Sequence, residues 1–335
     1  MILVDSVYIN NSGGRILLDY LVRSLVPYDN VYFLFDQRCA GSYDHIPSCR
    51  KSLLRASLKE RDCFYRDHSD DFDFVLCFGN LAPTRRIRAK VFTYFHQPLY
   101  LNVPLSVPFK SRALFRLKAF VFGQLLSNTD YILVQSPNMA RLCESKFRYA
   151  KGKLMVLPFF PDEDLDNYGK HPKGNLIYVS SGAAHKNHFL LIDAFCDAYD
   201  TLGYGRLTLT VSKGSNPKLE DIIRDKEDLG YPIRNIGFVD RDRLIEEYNN
   251  SEYLIFPSLE ESFGLGLVEA IECGCKVIGA DRPYTYQVCQ PSIVFDPLDP
   301  NSICNAILKS QGSHIPQTRQ LISNEIDRLV KLLMQ

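Results

Sequence analysis

The 335-residue chain reads as an α/β protein of two doubly wound domains, and three observations predict this. Its length exceeds the size at which one hydrophobic core usually keeps growing, so two domains of roughly 150 residues are expected. Short, near-continuous apolar runs alternate with helix-length mixed segments, the pattern of parallel strands covered on both faces. After an acidic, proline-containing stretch at 158–175, PFFPDEDLDNYGKHPKGN, the same rhythm begins again.

Taken in order, MILVDSVYIN lacks the basic start and long apolar core of a signal peptide and is expected to be the first strand. VYFLF (31–35), FDFVLCFG (72–79), VFTYFH (91–96), DYILVQS (130–136) and LMVLP (154–158) continue an N-terminal domain over 1–158. Residues 159–174 form the linker. LIYVS, LTLTVS, YLIFPS and KVIGA are strands of a second domain over 175–316. The amphipathic tail within 317–335, with Leu321, Ile322, Ile326, Leu329, Val330 and Leu333 on one stripe, is expected to be a helix that docks back on the first domain. In such sheets ligands bind beyond the carboxyl ends of the strands, where loops feed helix N-termini, so the motifs belong in a cleft between facing domains.

Composition narrows the class. An apolar share of 46% and a charged share of 23% are ordinary for a globular protein and exclude disorder. Ten cysteines without a CxxC pair point to reduced, mostly buried thiols rather than zinc. No uncharged apolar run approaches the roughly 18 residues of a spanning helix. The zero net charge hides a split: residues 1–160 hold 22 Lys and Arg against 13 Asp and Glu, and residues 161–335 hold 17 against 26. Phe74–Thr129 contains no acidic residue, so the first half needs an anionic partner or is a solvated basic face. Nucleic acid is not the partner expected.

Three glycine-bearing loops carry the chemistry. NNSGG (Asn10–Gly14) follows the first strand, and Gly13 and Gly14 would let the backbone approach a phosphate or a sugar. In SSGAAHKNHFLLIDAF (Ser180–Phe195), Ser181 and Gly182 form a loop and Lys186 stands beside the positive end of the helix that follows, a site suited to a diphosphate. His185 and His188 lack a nearby third ligand for a metal. In ESFGLGLVEAIECGCKVIGA, Glu261 and Glu269 flank Gly264 and Gly266 at a helix start, with Gly274 suited to the helix end. Two carboxylates about 12 Å apart with backbone N–H groups between them suit a nucleotide sugar: Glu269 for a ribose diol, Glu261 for hexose hydroxyls. The DxD triplets Asp71/Asp73, Asp162/Asp164, Asp164/Asp166 and Asp240/Asp242 are read as helix starts and solvated acids, not as metal sites.

PSLEESFGLGLVEAIECGCKVIGA resembles the E-x7-E signature of the retaining glycosyltransferases of family 4, HKNHFLLIDAF resembles their diphosphate-lysine segment, and GFVDRDRLIEEYNNSEYLIFPS resembles the stretch leading into the signature. The resemblance covers about 175–300 and is looser before it, where it rests on Gly13, Gly14 and His96 of YFHQPLY. It implies the GT-B fold and a donor site of Gly13, Gly14, Ser181, Gly182, Lys186, Val239, Glu261, Ser262, Phe263, Gly264, Leu265, Gly266 and Glu269. His96, Lys186 and Glu261 would carry the catalysis. Ser181 stands where many members have an arginine, and Ser262 where a glycine is usual. The function implied is transfer of a hexose from a UDP- or GDP-sugar to a hydroxyl, on a lipid-linked glycan of a bacterial surface polysaccharide, O-antigen or capsule. The donor is the substrate, with no cofactor or metal. Alternatives are an epimerase of the same architecture and a non-catalytic sugar-nucleotide-binding subunit. Lys110–Leu126, KSRALFRLKAFVFGQLL, places Lys110, Arg112, Arg116 and Lys118 around Leu114, Leu117, Val121 and Leu125 at helical spacing. This reads either as an interfacial helix on an anionic membrane or as a helix packed on the sheet. The expected location is cytoplasmic, the first option adding a peripheral seat on the inner face of the plasma membrane.

Overall fold

The computed structural model describes residues 1–105, 107–161 and 171–335, the side chain of residue 12 excepted. The linker's Asp162/Asp164 and Asp164/Asp166 pairs lie outside the described residues. The chain divides into two units: Met1–Val103, Pro108–Asp162 and Ser323–Gln335 in one, Pro104–Val107 and Glu163–Ile322 in the other.

The first unit runs β1 (Ile2–Asp5), α1 (Ser12–Leu25), β2 (Val31–Asp36), β3 (Lys51–Leu54), α2 (Leu58–His68), β4 (Phe74–Cys77), β5 (Lys90–Phe95), α3 (Phe109–Leu125), β6 (Tyr131–Val134), α4 (Pro137–Lys146) and β7 (Leu154–Val156). The second runs β8 (Asn175–Tyr178), α5 (His188–Leu202), β9 (Arg206–Leu209), α6 (Pro217–Asp228), β10 (Ile233–Asn235), α7 (Arg241–Asn249), β11 (Tyr253–Phe256), α8 (Leu265–Glu272), β12 (Lys276–Ala280), α9 (Pro283–Val288), β13 (Cys289–Gln290), β14 (Ile293–Phe295), α10 (Pro300–Ser310) and β15 (Arg319–Gln320). A last helix, α11 (Ile326–Leu333), belongs to the first unit.

Both large sheets are parallel, with strand orders β3-β2-β1-β4-β5-β6-β7 and β10-β9-β8-β11-β12-β14. Each order reverses direction once, between β1 and β4 and between β8 and β11. This is the doubly wound arrangement expected, and each reversal opens the loops where ligands bind. The inner strands β1 and β11 are buried at every position. Each large apolar side chain so withdrawn from water contributes roughly 1.5–3 kcal/mol.

In the two large sheets, three strands not read from the sequence, β3, β10 and β14, are all at sheet edges. An edge strand has one covered flank only, so Lys51, Ser52 and Arg234 are tolerated and no continuous apolar run forms in β3 or β10, while β14 is apolar but only three residues long. The helices begin where polar caps meet proline: Ser136, Asn216 and Asp299 each accept a backbone N–H, with Pro137, Pro217 and Pro300 at the first helical position. Asp240 caps α7 by accepting the Arg243 N–H, the helix-start role read from its triplet.

Two readings need correction. The tail is helical only over Ile326–Leu333; Arg319–Gln320 instead pairs as a strand with Cys289–Gln290, which takes that stretch out of any helix. Asn324 donates to Phe160 O and to the Tyr20 hydroxyl, and the Glu325 N–H to Pro158 O, which ties α11 to the first unit. Gly13 and Gly14 lie within the first turn of α1, not in the loop before it. On α3 the covered residues are Ala119 and Phe122, while Leu114 and Leu117 face solvent and Val121 and Leu125 are half-buried.

Among the described residues no helix is long and apolar enough to cross a membrane, and no group of three His, Cys, Asp or Glu is set to hold a metal ion. All ten cysteines are free, seven of them buried.

Candidate active site

In the second unit the site is built from the loops after β8 and β11, the two strands at the sheet's reversal. The Tyr178 hydroxyl, at the end of β8, donates to Lys186 O at 2.9 Å and holds the turn Ala184–Lys186. Asn187 follows in the left-handed region at φ 63°, a conformation asparagine tolerates better than most residues. Its amide donates to Pro257 O (3.3 Å) and Pro297 O (2.7 Å). The Leu259 N–H donates to His185 O at 2.8 Å, and the Tyr284 hydroxyl to Ser258 O at 2.6 Å. These bonds tie the two loops together. Upstream, Asn216 donates to Gly182 O while capping α6, and a Cβ at Gly182 would stand 3.0 Å from Asn216 Cβ and 3.1 Å from Ser215 Oγ. Nothing larger than glycine fits without displacement. Ser181 beside it is exposed.

This clamping puts Lys186 Nζ 2.5 Å from Glu261 Oε1, both side chains largely covered. Residues 75 positions apart thus form one ion pair beside the start of α5. Glu261 lies in the loop, and the chain turns into α8 through Gly264 at φ 86°. Ser262 and Leu265 are partly exposed and Phe263 is buried. Gly266 lies in the first turn of α8, and neither α5 nor α8 has an acid in its first turn. Their N-terminal N–H groups and partial positive charge are consequently left for an anion. Gly274, at φ 85°, ends α8.

Glu269, on the covered face of α8, accepts from Arg241 Nη1 at 3.3 Å and from the Tyr248 hydroxyl at 3.4 Å. Burial raises its pKa, opposed by the Arg241 guanidinium and the Tyr248 hydrogen bond. Arg241 and Tyr248 were not singled out from sequence; the charged run RDRLIEEY around them was a visible signal, since a buried carboxylate requires a partner. Val239 is half-buried two positions before Arg241. His185 and His188 are both neutral, pushed down to about 4 and about 3 by burial and then by the neighbouring Lys186 charge.

The first unit has its own loop set at the reversal between β1 and β4. Gly14 packs against His96, whose Nε2 would be 3.6 Å from a Cβ at Gly14, and Gly13 is exposed beside it. Gly79 approaches Val7 O so closely that a Cβ would stand 2.0 Å away, which leaves no room for a side chain there. Asn80, at φ 65°, bonds His96 twice: the His96 N–H donates to Asn80 Oδ1 at 2.7 Å, and Asn80 Nδ2 stands 3.0 Å from Nε2. Burial pushes the His96 pKa down to about 4. Asn80 was not anticipated; no sequence periodicity connects it to His96.

Two parallel, doubly wound units with glycine-lined loops at the reversal of each sheet define a GT-B-type α/β protein. Residues 161–311 match the family model described as Glycosyl transferases group 1. The serotype-specific mannosyltransferase WbdA of Escherichia coli is 39% identical over 315 residues, covering 81% of this chain and 37% of that protein. The chain thus spans well under half the length of this curated relative. A sucrose-phosphate synthase from Thermosynechococcus elongatus superposes with a TM-score of 0.68 at 17% identity, covering 92% of this chain and 88% of that one. Anabaena HepE, solved with UDP and glucose, superposes at 0.66 with 13% identity, covering 93% and 89%. The chain thus has the GT-B fold and is similar in sequence, over most of its length, to part of a mannosyltransferase.

Proposed function

We propose that the chain is a retaining family 4 glycosyltransferase that moves a hexose, mannose foremost, from a nucleotide sugar to an acceptor hydroxyl. The observation that carries this reading is the Lys186–Glu261 pair at the reversal of the second sheet, beside two helix N-termini free of acidic side chains. Mannose is favoured by the name of the mannosyltransferase that matches 81% of the chain.

In this reading Lys186 and the N–H groups of α5 and α8 receive the diphosphate. Glu261 accepts from hexose hydroxyls, Glu269 from the ribose diol, and His96 orients the sugar. The bond from C1 of the sugar to the diphosphate oxygen breaks, the acceptor oxygen bonds C1 on the same face, and the acceptor proton passes to a diphosphate oxygen. No protein nucleophile takes part. Stabilising the charge that develops on the leaving diphosphate is the main contribution of the protein.

The acceptor proposed is a lipid-linked glycan of surface-polysaccharide assembly, reached from the cytoplasmic face of a membrane. Support comes from α3, where Phe109 is 73%, Leu117 60% and Phe120 64% exposed, with Lys110, Arg116 and Lys118 among them. A monomer seldom leaves such apolar residues together in water without use. At the end of α3 a cavity of about 490 Å³ is lined by Arg116, Lys146 and Arg148 with Phe120, Phe147 and Tyr149, and no carboxylate is among its lining residues. Cations around an aromatic wall suit the phosphate of an anionic lipid headgroup.

The test is turnover of a panel containing GDP-mannose, UDP-glucose and UDP-N-acetylglucosamine, with and without a lipid-linked acceptor. Transfer with retained anomeric configuration is expected. Donor isomerised without an acceptor would replace this reading with an epimerase, and binding without turnover would replace it with a non-catalytic subunit.

A further inference from the structure

The cavity at the end of α3 is built from residues at helical spacing. Ala119 and Gly123, four positions apart, keep the helix surface low there, and a Cβ at Gly123 would stand 2.9 Å from Phe147 Cδ1. Glycine weakens a helix interior, and here the close approach of the Phe147 ring explains its presence. Arg116, Phe120 and Gln124, again at intervals of four, line the cavity from the same helix. Lys146, at the end of α4, and Arg148 line it from the other side, around a space of about 490 Å³. Three cations thus share one cavity, and among the described residues none of them is paired with a carboxylate. A lysine with no other constraint turns its ammonium to water. Lys146 Nζ instead donates to Leu101 O at 2.7 Å, and burial, then repulsion by Arg116, push its pKa down. The Arg148 guanidinium lies over the Tyr149 ring, 5.9 Å from its centroid, which orients it. Like charges held together in this way are stabilised by an anion placed between them.

We propose that this cavity selects a phosphate monoester, carried as the headgroup of a membrane lipid. The proposal rests on the reading that α3 lies on a membrane, and it names the headgroup that the cavity takes. A phosphodiester carries one negative charge, whereas a monoester at neutral pH carries between one and two, because its second proton leaves at about pH 6. A monoester also has three oxygens free of carbon, one more than a diester, so Arg116, Lys146 and Arg148 can each meet a separate acceptor. Against three cations the extra charge and the extra oxygen decide the preference. A soluble phosphate needs no apolar surroundings. Phe120, 64% exposed in the cavity wall, and Leu117, 60% exposed three positions before it, favour a ligand that bears acyl chains.

Sedimentation of the full-length chain with phosphatidylcholine vesicles containing either phosphatidic acid or phosphatidylglycerol, matched in surface potential, reads the selection. The unaltered protein is expected to bind the phosphatidic acid vesicles about tenfold more tightly. Lys146→Gln/Arg148→Gln should reduce that ratio to about twofold or less, whatever the loss in overall affinity. Gln124→Trp changes no charge and fills the cavity from an exposed position, and it should erase the ratio as well. A basic surface without a pocket would leave the ratio of this variant at the value of the unaltered chain. Thermal midpoints show that both variants fold. Equal binding to the matched vesicles, or a ratio that both variants leave intact, overturns the monoester site while the membrane seat stands. Binding to neither vesicle overturns the membrane reading itself, and with it the lipid ligand. Glycerol 3-phosphate that competes as strongly as phosphatidic acid, mole for mole, would make the ligand a soluble ester and overturn the headgroup assignment.

Discussion

Lys186 and Glu261 hold each other at 2.5 Å, so in the proposed reaction a diphosphate reaching Lys186 competes with a carboxylate already there. This separates two kinds of contact. In the proposed reaction Lys186 gains most when charge builds on the leaving diphosphate, whereas the proposed ribose contact by Glu269 is the same before and during reaction. Lys186→Ala is expected to lower kcat by roughly 10²-fold with a smaller effect on donor KM. Glu269→Gln should raise donor KM about tenfold and leave kcat within a few-fold. It should also lower the thermal midpoint, because Arg241 and Tyr248 lose a charged acceptor. Saturation curves for the preferred nucleotide sugar measure both, and unchanged donor kinetics in the two variants would remove these residues from the donor site. The segments around both carboxylates were recognisable from sequence, since glycines, an acid and a following apolar strand are local features. Their partners were not: Arg241 lies 28 positions from Glu269 and Asn80 16 from His96, separations set by loop packing rather than by any helical or strand period.

Individual elements make their own demands. The turn into α8 depends on Gly264 at φ 86°, where a Cβ would also stand 2.9 Å from Leu267 Cδ1. Gly264→Ala should cost about 1–2 kcal/mol in a urea unfolding curve and weaken donor binding, because the helix N–H groups re-aim. A variant with unaltered midpoint and donor KM would mean that the turn does not control the helix start. Helix α3 shows how an apolar stripe misleads. Leu114 and Leu117 looked as fit for the core as for a membrane, but the sheet takes Ala119 and Phe122 and leaves those leucines to solvent. If that face rests on anionic lipid at about 1 kcal/mol per basic residue, Arg112→Glu/Arg116→Glu/Lys118→Glu should abolish sedimentation with phosphatidylglycerol vesicles. Activity on a short water-soluble acceptor should persist. Cosedimentation of the triple variant would sink the membrane assignment. The edge strands β3 and β10 were illegible for a related reason: with one flank uncovered, their sequences need not be apolar throughout, whereas β14 is apolar but only three residues long.

Three of the chain's seven histidines, His96 in one unit and His185 and His188 in the other, are pushed down to about 4, about 4 and about 3, with burial the leading cause in each. Their folded values lie below the ordinary 6.5, so the unfolded chain takes up protons first as pH falls. The stability they contribute is complete above about pH 6.5 and is lost progressively toward pH 4, on the order of 1 kcal/mol per pH unit for each histidine. Urea midpoints from pH 7.5 to 5 should therefore decline, and His188→Gln should flatten the slope. A level profile in the unaltered protein would contradict the burial of these rings.

The amino-acid order alone carries the doubly wound architecture, the inner strands and the segments bearing His96, Lys186, Glu261 and Glu269. Those properties are local: a strand buried on both faces must be apolar without interruption, and a glycine-bearing helix start is written in consecutive residues. Only the tertiary structure decides that Lys186 and Glu261 form one pair, that Asn80 bonds His96, that Arg241 and Tyr248 hold Glu269, and which face of α3 meets solvent. Each depends on strands distant in sequence becoming neighbours in a sheet. Their loops are then brought within hydrogen-bonding distance by an order of strands that no short stretch of chain encodes.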